Sequence, residues 1–473
     1  MISCLIQRDQ KGHLGSVLNF SNFLIASLTL VGLISIQPFF IWNHSKVYYL
    51  ISTLILCFAY LGYIKDHYKL IQKKSILFIC ICLIFLMYLT ILPKVNHQHV
   101  RWIFLTPFIV AYFTLPETLQ KQVFKTFYWV FLLSLVPGMI LSCLMALGFS
   151  PKFSIIPTPI ETFAKRGVFY LYFPGAMFLN NNSIWLPNGG FLSRLCGIWG
   201  EPGTVGTIAA LLLAAEGFQM KKVSARLLFI AGFLSFSMAF FILFIVGFCF
   251  FSLLNKRYSF IIYGLFIALG VQITLGIGLG GNHVNQSKKS GLLRVDGNES
   301  VSIISLHNEE KESDLLKNKM AKFIKVRGAL RTSVFDDRSS TEMNTLFIKY
   351  LHSDLKTILF GIASDASDVY GGESRAIWKI VFTNYGVIGF FLLVSLFFYY
   401  AYLFANRNHI GHIFAFVFLF FLSFYQRPVI WMPFYFIIFS GGIATLSSIN
   451  SRQYISFKSK ISASKNQGEL AQI

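Results

Sequence analysis

Residues 226–254 read Arg226-Leu-Leu-Phe-Ile-Ala-Gly-Phe-Leu-Ser235-Phe236-Ser237-Met-Ala-Phe-Phe-Ile-Leu-Phe-Ile-Val-Gly-Phe-Cys-Phe-Phe-Ser-Leu-Leu254. These 29 residues are either one long helix or two short ones broken at Ser235-Phe236-Ser237. The choice decides on which side of a membrane everything downstream lies. A single crossing carries Lys256, Arg257 and the basic tail to the side opposite Lys221 and Lys222, whereas a returning pair keeps them together. With the amino terminus inside, the returning pair leaves 18 Lys and Arg in the short inner segments. Only four, Lys46, Lys94, Arg101 and Arg427, fall in the short outer ones. Short cytoplasmic segments carry the excess of Lys and Arg, so the sequence predicts two short helices here. About 14 residues rise only ~21 Å against a hydrocarbon core of ~30 Å. A short hairpin buried among other helices accommodates that difference.

Outward from this stretch, apolar runs recur at 17–41, 46–64, 75–92, 102–115, 123–147, 203–219, 258–280, 380–404, 411–426 and 429–448. Of the 473 residues, 55% are hydrophobic and 13% charged, against about 45–50% and about 25% in soluble domains. A soluble domain and a disordered chain are both excluded. The expected fold is all-α: a polytopic bundle of about twelve membrane segments with two large exported loops, both termini inside. Its parts are N-terminal transmembrane helices (1–147), a first exported loop (148–202) and central transmembrane helices including a short hairpin (203–280). A large exported loop (281–375), C-terminal transmembrane helices (376–448) and an inner basic tail (449–473) follow. The first run is too long for a signal-peptide core and reads as a retained span.

The net charge of +21 is not the footprint of a nucleic-acid binder. Residues 281–375 are close to neutral, with 13 acidic and 14 basic residues, and the excess lies in short connections. A nucleic-acid binder gathers its charge on one face of a soluble domain. The seven cysteines show neither zinc spacing nor a disulfide framework, and no metal site is expected. No nucleotide-binding or serine-hydrolase motif occurs. The two halves are not inverted repeats of each other, as secondary transporters often are.

The chemistry-bearing residues therefore fall in the two long loops. The first ends Arg194-Leu-Cys-Gly-Ile-Trp-Gly-Glu201-Pro202-Gly203, running straight into a span. An interfacial salt bridge with a proline helix start explains it. So does a functional cation and carboxylate held near the membrane plane. The second loop carries Arg327, Arg331 and Arg338, then His352-Ser-Asp-Leu-Lys-Thr-Ile-Leu-Phe-Gly361 and Gly371-Gly372-Glu373-Ser374-Arg375. Arg327 and Arg331 share a face if helical, and a pair of guanidinium forks suits a diphosphate; a solvated basic face reads the same. Gly386 and Gly389 permit close helix packing.

The segment Arg194-x-x-Gly197-x-x-x-Glu201-Pro202 at the start of a span resembles the bacterial O-antigen and capsule polysaccharide polymerases (Wzy-type) and the related O-antigen ligases. So do His352 to Gly361, Ser374-Arg375-Ala-Ile-Trp-Lys and Asn384-Tyr-Gly-Val-Ile-Gly. The chain departs from that family's frequent Ser-Arg in the broken pair, having Phe236 and Met238. The resemblance implies a GT-C-like glycosyltransferase of the bacterial inner membrane, with the exported loops periplasmic and both termini cytoplasmic, that needs neither metal nor cofactor. Its donor would be a polyprenyl-diphosphate-linked oligosaccharide, and its partners membrane lipid and a chain-length regulator protein. A sugar hydroxyl of a second lipid-linked unit would attack the anomeric carbon, and polyprenyl diphosphate would leave. Cations are needed where the leaving charge develops: Arg338 as the catalytic one, with Arg194, Arg327 and Arg331 binding substrate and Glu373 and Arg375 as further contacts. His352 and Glu201 are the candidate bases. His352 is preferred, because the field of the arginines lowers a carboxylate's basicity while a neutral imidazole still accepts a proton. The alternatives are a ligase, which moves the same donor to lipid A core, and a flippase, which does no chemistry.

Overall fold

A computed structural model describes residues 20–93, 101–149, 151–158, 168–185, 190–255, 341–370, 377–406, 409–425 and 432–448. Every apolar run within them contains helix; the run at 258–280 lies outside the described residues. The helices are α1 (Phe20–Ser35), α2 (Ser45–His67), α3 (Lys73–Ile91), α4 (Arg101–Phe113) and α5 (Glu117–Ala146). After a sheet come α6 (Pro202–Ala215), α7 (Val223–Leu234), α8 (Met238–Leu254), α9 (Thr341–Leu351), α10 (Leu355–Phe360) and α11 (Ala366–Tyr370). The last three are α12 (Ile377–Phe404), α13 (Ile410–Ser423) and α14 (Pro433–Ser448). Among the described residues, four helical stretches are long and apolar enough to cross a membrane: Phe39–Lys65, Lys73–Ile91, Glu117–Ala146 and Trp378–Phe404. Six further apolar helices are shorter, at 10–17 residues.

Helix α6 lies at the centre. It is apolar on every face, the pattern of a helix surrounded by protein, and Val205 and Ile208 to Ala215 are at most 1% exposed. Its small residues let α7, α8, α13 and the sheet approach closely. The run that decides the fold is two helices. Phe229 meets Phe244 at 4.9 Å and Phe233 meets Phe241 at 5.8 Å, so later residues of α7 face earlier residues of α8 and the chain doubles back. The reversal turns on Phe236 at φ +44°. Gly232 makes it tight: a Cβ there would lie 2.2 Å from the Phe240 ring.

Two sequence expectations are corrected. The all-α reading omits a four-stranded antiparallel sheet, in order β1 (Ser154–Pro157), β2 (Phe169–Phe173), β3 (Ala176–Trp185) and β4 (Phe191–Gly197), within the first loop. Its aromatic and aliphatic residues favour strand, and Pro174-Gly175, with Gly175 at φ +81°, makes the β2–β3 turn in the type II pattern. The faces alternate with the strand period of two. Ala176, Phe178, Phe191 and Leu195 join the main core, while Tyr170, Met177, Leu179 and Cys196 form a separate cluster with Phe39 and Trp42. Leu195 docks on α5 where Gly138 leaves room, 2.4 Å from where its Cβ would be. Second, the run 17–41 is not one helix. α1 stops at Ser35, Gln37 takes φ +62°, and Pro38 leads into a 3-10 turn over Phe39–His44. Proline disfavours helix for the residue before it.

The two ends of the bundle differ. One gathers Lys74 over the Phe404 ring (4.4 Å), Lys121 bonded to Ser448, Lys222 paired with Glu216 (3.4 Å) and His412 beside Asn255 (3.3 Å). The other holds the sheet, the Phe39–His44 turn, and the junctions of Ser364 with Pro93 (2.8 Å) and Tyr88 with Tyr385 (2.7 Å).

Candidate functional site

Strand β4 places Arg194 opposite Leu179. From there its Nε donates to the carbonyl of Ser235, in the turn between α7 and α8, at 3.4 Å. Ser235 and Ser237 are buried, and they sit so close to α6 that a Cβ at Gly206 would lie 2.5 Å from the Ser237 Cβ. The guanidinium thus rests at the break, at the same end of the bundle as the N-termini of α6 and α8. Helix N-termini carry positive partial charge and free N–H groups. A cation with two such ends is a place where an anion is stabilised.

Glu201 occupies the N-cap position of α6, half-buried, with Pro202 in the first turn. Its side chain makes no capping bond to its own helix, and its carbonyl accepts from Thr204 (3.1 Å) and Val205 (3.3 Å). The Gly197 turn that separates Arg194 from Glu201 needs φ +64°. Trp199 then anchors the segment, stacked on Phe131 at 5.5 Å and donating to Ser134 Oγ at 3.1 Å. Cys196 lies between the two charges. Burial pushes its thiol up, Arg194 pulls it down and Glu201 raises it again.

His352 follows the last residue of α9 and is exposed. Its Nδ1 lies 2.9 Å from the Ile348 carbonyl. A carbonyl only accepts, so Nδ1 donates in this contact and Nε2 is the nitrogen left for another partner. Helix α9 packs on α10, α11 and α12, whereas β4 packs on α5, α6 and α7. Thus the structure brings Arg194 and Glu201 together at one junction and places His352 on another group of elements. Arg327, Arg331, Arg338, Glu373 and Arg375 lie outside the described residues.

The Gly361 and Asn384-Tyr-Gly386 motifs meet, and their observed role is architectural. Gly361 (φ +88°) and Gly386 (φ +68°) pack backbone against backbone; a Cβ on Gly386 would lie 2.2 Å from the Leu359 carbonyl oxygen. Gly386 breaks α12 in two. Asn384, 3% exposed, latches the connection before α11: its Oδ1 accepts from Ser367 N (2.9 Å) and its Nδ2 donates to the Ser364 carbonyl (3.1 Å). Nearby Lys379, 8% exposed, donates to Asn344 Oδ1 at 2.7 Å and lies over the Trp378 ring at 5.3 Å.

The sequence reading missed the Ser235 carbonyl as the partner of Arg194 and the 3-10 turn beside Glu201. Pro38 inside an apolar run was the available signal for that turn. No protein-family model and no curated protein matches the chain.

Proposed function

We propose that the chain polymerises lipid-linked oligosaccharide repeat units at the periplasmic face of the bacterial inner membrane, with both termini cytoplasmic. The observation that supports this most is Arg194 seated at the α7–α8 break beside the N-termini of α6 and α8. A leaving polyprenyl diphosphate needs such a set of donors where its charge develops, and the apolar helices around it offer the lipid tail a compatible surface. In the reaction, a sugar hydroxyl of one unit forms a bond to the anomeric carbon of another. The bond from that carbon to the diphosphate oxygen breaks, and the hydroxyl proton passes to a base. His352 Nε2 is the base in this reading, carried by the large periplasmic loop (281–375), with Arg338, Arg327 and Arg331 of the same loop completing the charge. Glu373 and Arg375 contact the glycan, and a chain-length regulator protein is the natural partner.

The test is the length of the glycan in cells lacking the gene. A single repeat unit left on the carrier supports the proposal. Long chains stranded on the carrier would make the protein a ligase. Units trapped at the inner face would make it a flippase.

A further inference from the structure

The six-residue 3-10 turn Phe39-Phe-Ile-Trp-Asn-His44 is held in one position by its surroundings. It is reached through Gln37 at φ +62°, a conformation that a residue with a side chain keeps only where neighbouring contacts impose it. Three contacts do so. Phe39 N donates to the Ile198 carbonyl at 3.0 Å, Pro38 pairs with Trp199 as an isolated β-bridge, and Trp42 Nε1 donates to the Gln37 carbonyl at 3.1 Å. The Trp42 ring is thereby set against Gly200, where a Cβ would lie 3.2 Å away, immediately before Glu201. It lies 5.2 Å from the Tyr170 ring, whose hydroxyl donates to the Gly200 carbonyl at 2.5 Å. Phe39 lies 5.2 Å from Tyr172 on the same sheet face.

Trp42, Phe39 and Tyr172 are half-buried, so part of each ring faces outward, and Asn43 and His44 beside them are exposed. An aromatic anchor at a membrane surface presents its polar tip to water. Trp42 instead gives its N–H to the chain's own backbone at Gln37, which fixes the ring face. A pyranose ring has apolar C–H faces and a rim of hydroxyls. Rigid rings suit its faces, and an amide, an imidazole and a carboxylate suit its rim. Resting on the polymerase reading for the source of the sugar, we infer that Trp42, Phe39 and Tyr172 form a stacking platform for a pyranose of the lipid-linked glycan. Asn43, His44 and Glu201 take its hydroxyls. The platform rests on the sheet whose last strand carries Arg194, the cation that receives the diphosphate in that reading.

The experiment uses full-length protein in detergent and the carrier-linked repeat unit extracted from cells lacking the gene. It also uses the oligosaccharide released from that carrier by mild acid. Trp42→Ala should raise KM about tenfold or more with kcat within about threefold, and Trp42→Phe, which keeps a ring but loses the bond to Gln37, should fall between Trp42→Ala and wild type. Saturation transfer from protein to the free oligosaccharide should fall to background in Trp42→Ala. Should that variant not elute as folded protein, Tyr172→Ser carries the test, with KM raised at least about threefold. A KM within about twofold of wild type in the folded variants, or undiminished saturation transfer, overturns the platform while polymerase activity stands. If cells lacking the gene still make full-length polymer, the polymerase reading falls. The platform then survives only if wild-type protein binds the oligosaccharide and Trp42→Ala does not.

Discussion

Gly386 is the residue on which the break in α12 turns, and it accepts no substitute. An added Cβ meets main-chain atoms of Leu359 and Gly361, which cannot step aside, and φ +68° strains any L side chain. Gly386→Ala should therefore destabilise by about 2 kcal/mol or more, seen as a clear fall in apparent melting temperature in detergent. Gly411→Ala, whose nearest neighbour is a flexible Leu254 methyl at 3.0 Å, should shift it little. Equal melting temperatures would dismiss the junction. Arg194 gives a chemical counterpart. If its planar fork serves a diphosphate, Arg194→Lys should retain less than about a tenth of turnover, because a point charge does not reproduce two-point contact. Near-normal polymer would reduce it to a strand residue. Cys196 supplies a prediction in pH. With its thiol pushed above the ordinary range, the neutral form persists at pH 8, where an unperturbed cysteine is already partly thiolate. Peptide mapping after maleimide treatment at pH 8 should find Cys196 unmodified in folded protein and modified after denaturation. Equal modification in both would place the strand at the surface. At this scale Arg194 and Glu201 were legible, because charges are scarce in an apolar chain. The contact of Gly361 with Gly386 was not, because it joins backbones 25 positions apart without any complementary side chain to announce it.

Among elements, α6 and the broken pair α7–α8 carry the site. Gly206 is the hinge of that packing, since any side chain there meets Ser235 and Ser237. Gly206→Val should push the break away from α6 and move the carbonyl that Arg194 holds; under the polymerase reading it should lower polymer yield by about tenfold or more at matched expression, as a roughly 1 Å misplacement can. Wild-type yield from that variant would separate the break from the chemistry. The pair itself was readable from charge bookkeeping alone, because a wrong crossing count puts every later basic segment on the wrong side. The sheet was hidden for a different reason. Its strands lie in a stretch flanked by spans, where aromatic residues read equally as membrane-interface loop, and strand order depends on a turn at Pro174-Gly175 that hydropathy does not register. The early stop of α1 was hidden likewise, since hydropathy averages over Pro38 while backbone sterics do not.

For the molecule as a whole, the contacts at the two ends translate into a labelling pattern. Asn43, exposed on the 3-10 turn, and Lys221, exposed between α6 and α7, belong to opposite ends. A cysteine at Asn43 should react with an impermeant thiol reagent in intact spheroplasts, and one at Lys221 only after permeabilisation. The reverse pattern would invert the orientation. The final helix has its own bearing on how the protein comes to exist. Phe434 N donates to Ser35 Oγ at 3.1 Å, and Ser440 Oγ lies 2.5 Å from the Tyr112 hydroxyl. Ile437 seats where Gly32 leaves a hollow, and Gly441 rests on Phe124. One wall of the groove that α14 fills is thus built from α1, α4 and α5, near the other end of the chain, while α12 and α13 form the opposite side. A ribosome adding about 5–20 residues per second leaves that groove vacant for tens of seconds after α1 is made. Lipid or an insertase must shelter it meanwhile, and a nascent chain that terminates before Pro433 leaves the membrane with an open seam for quality-control proteases to find.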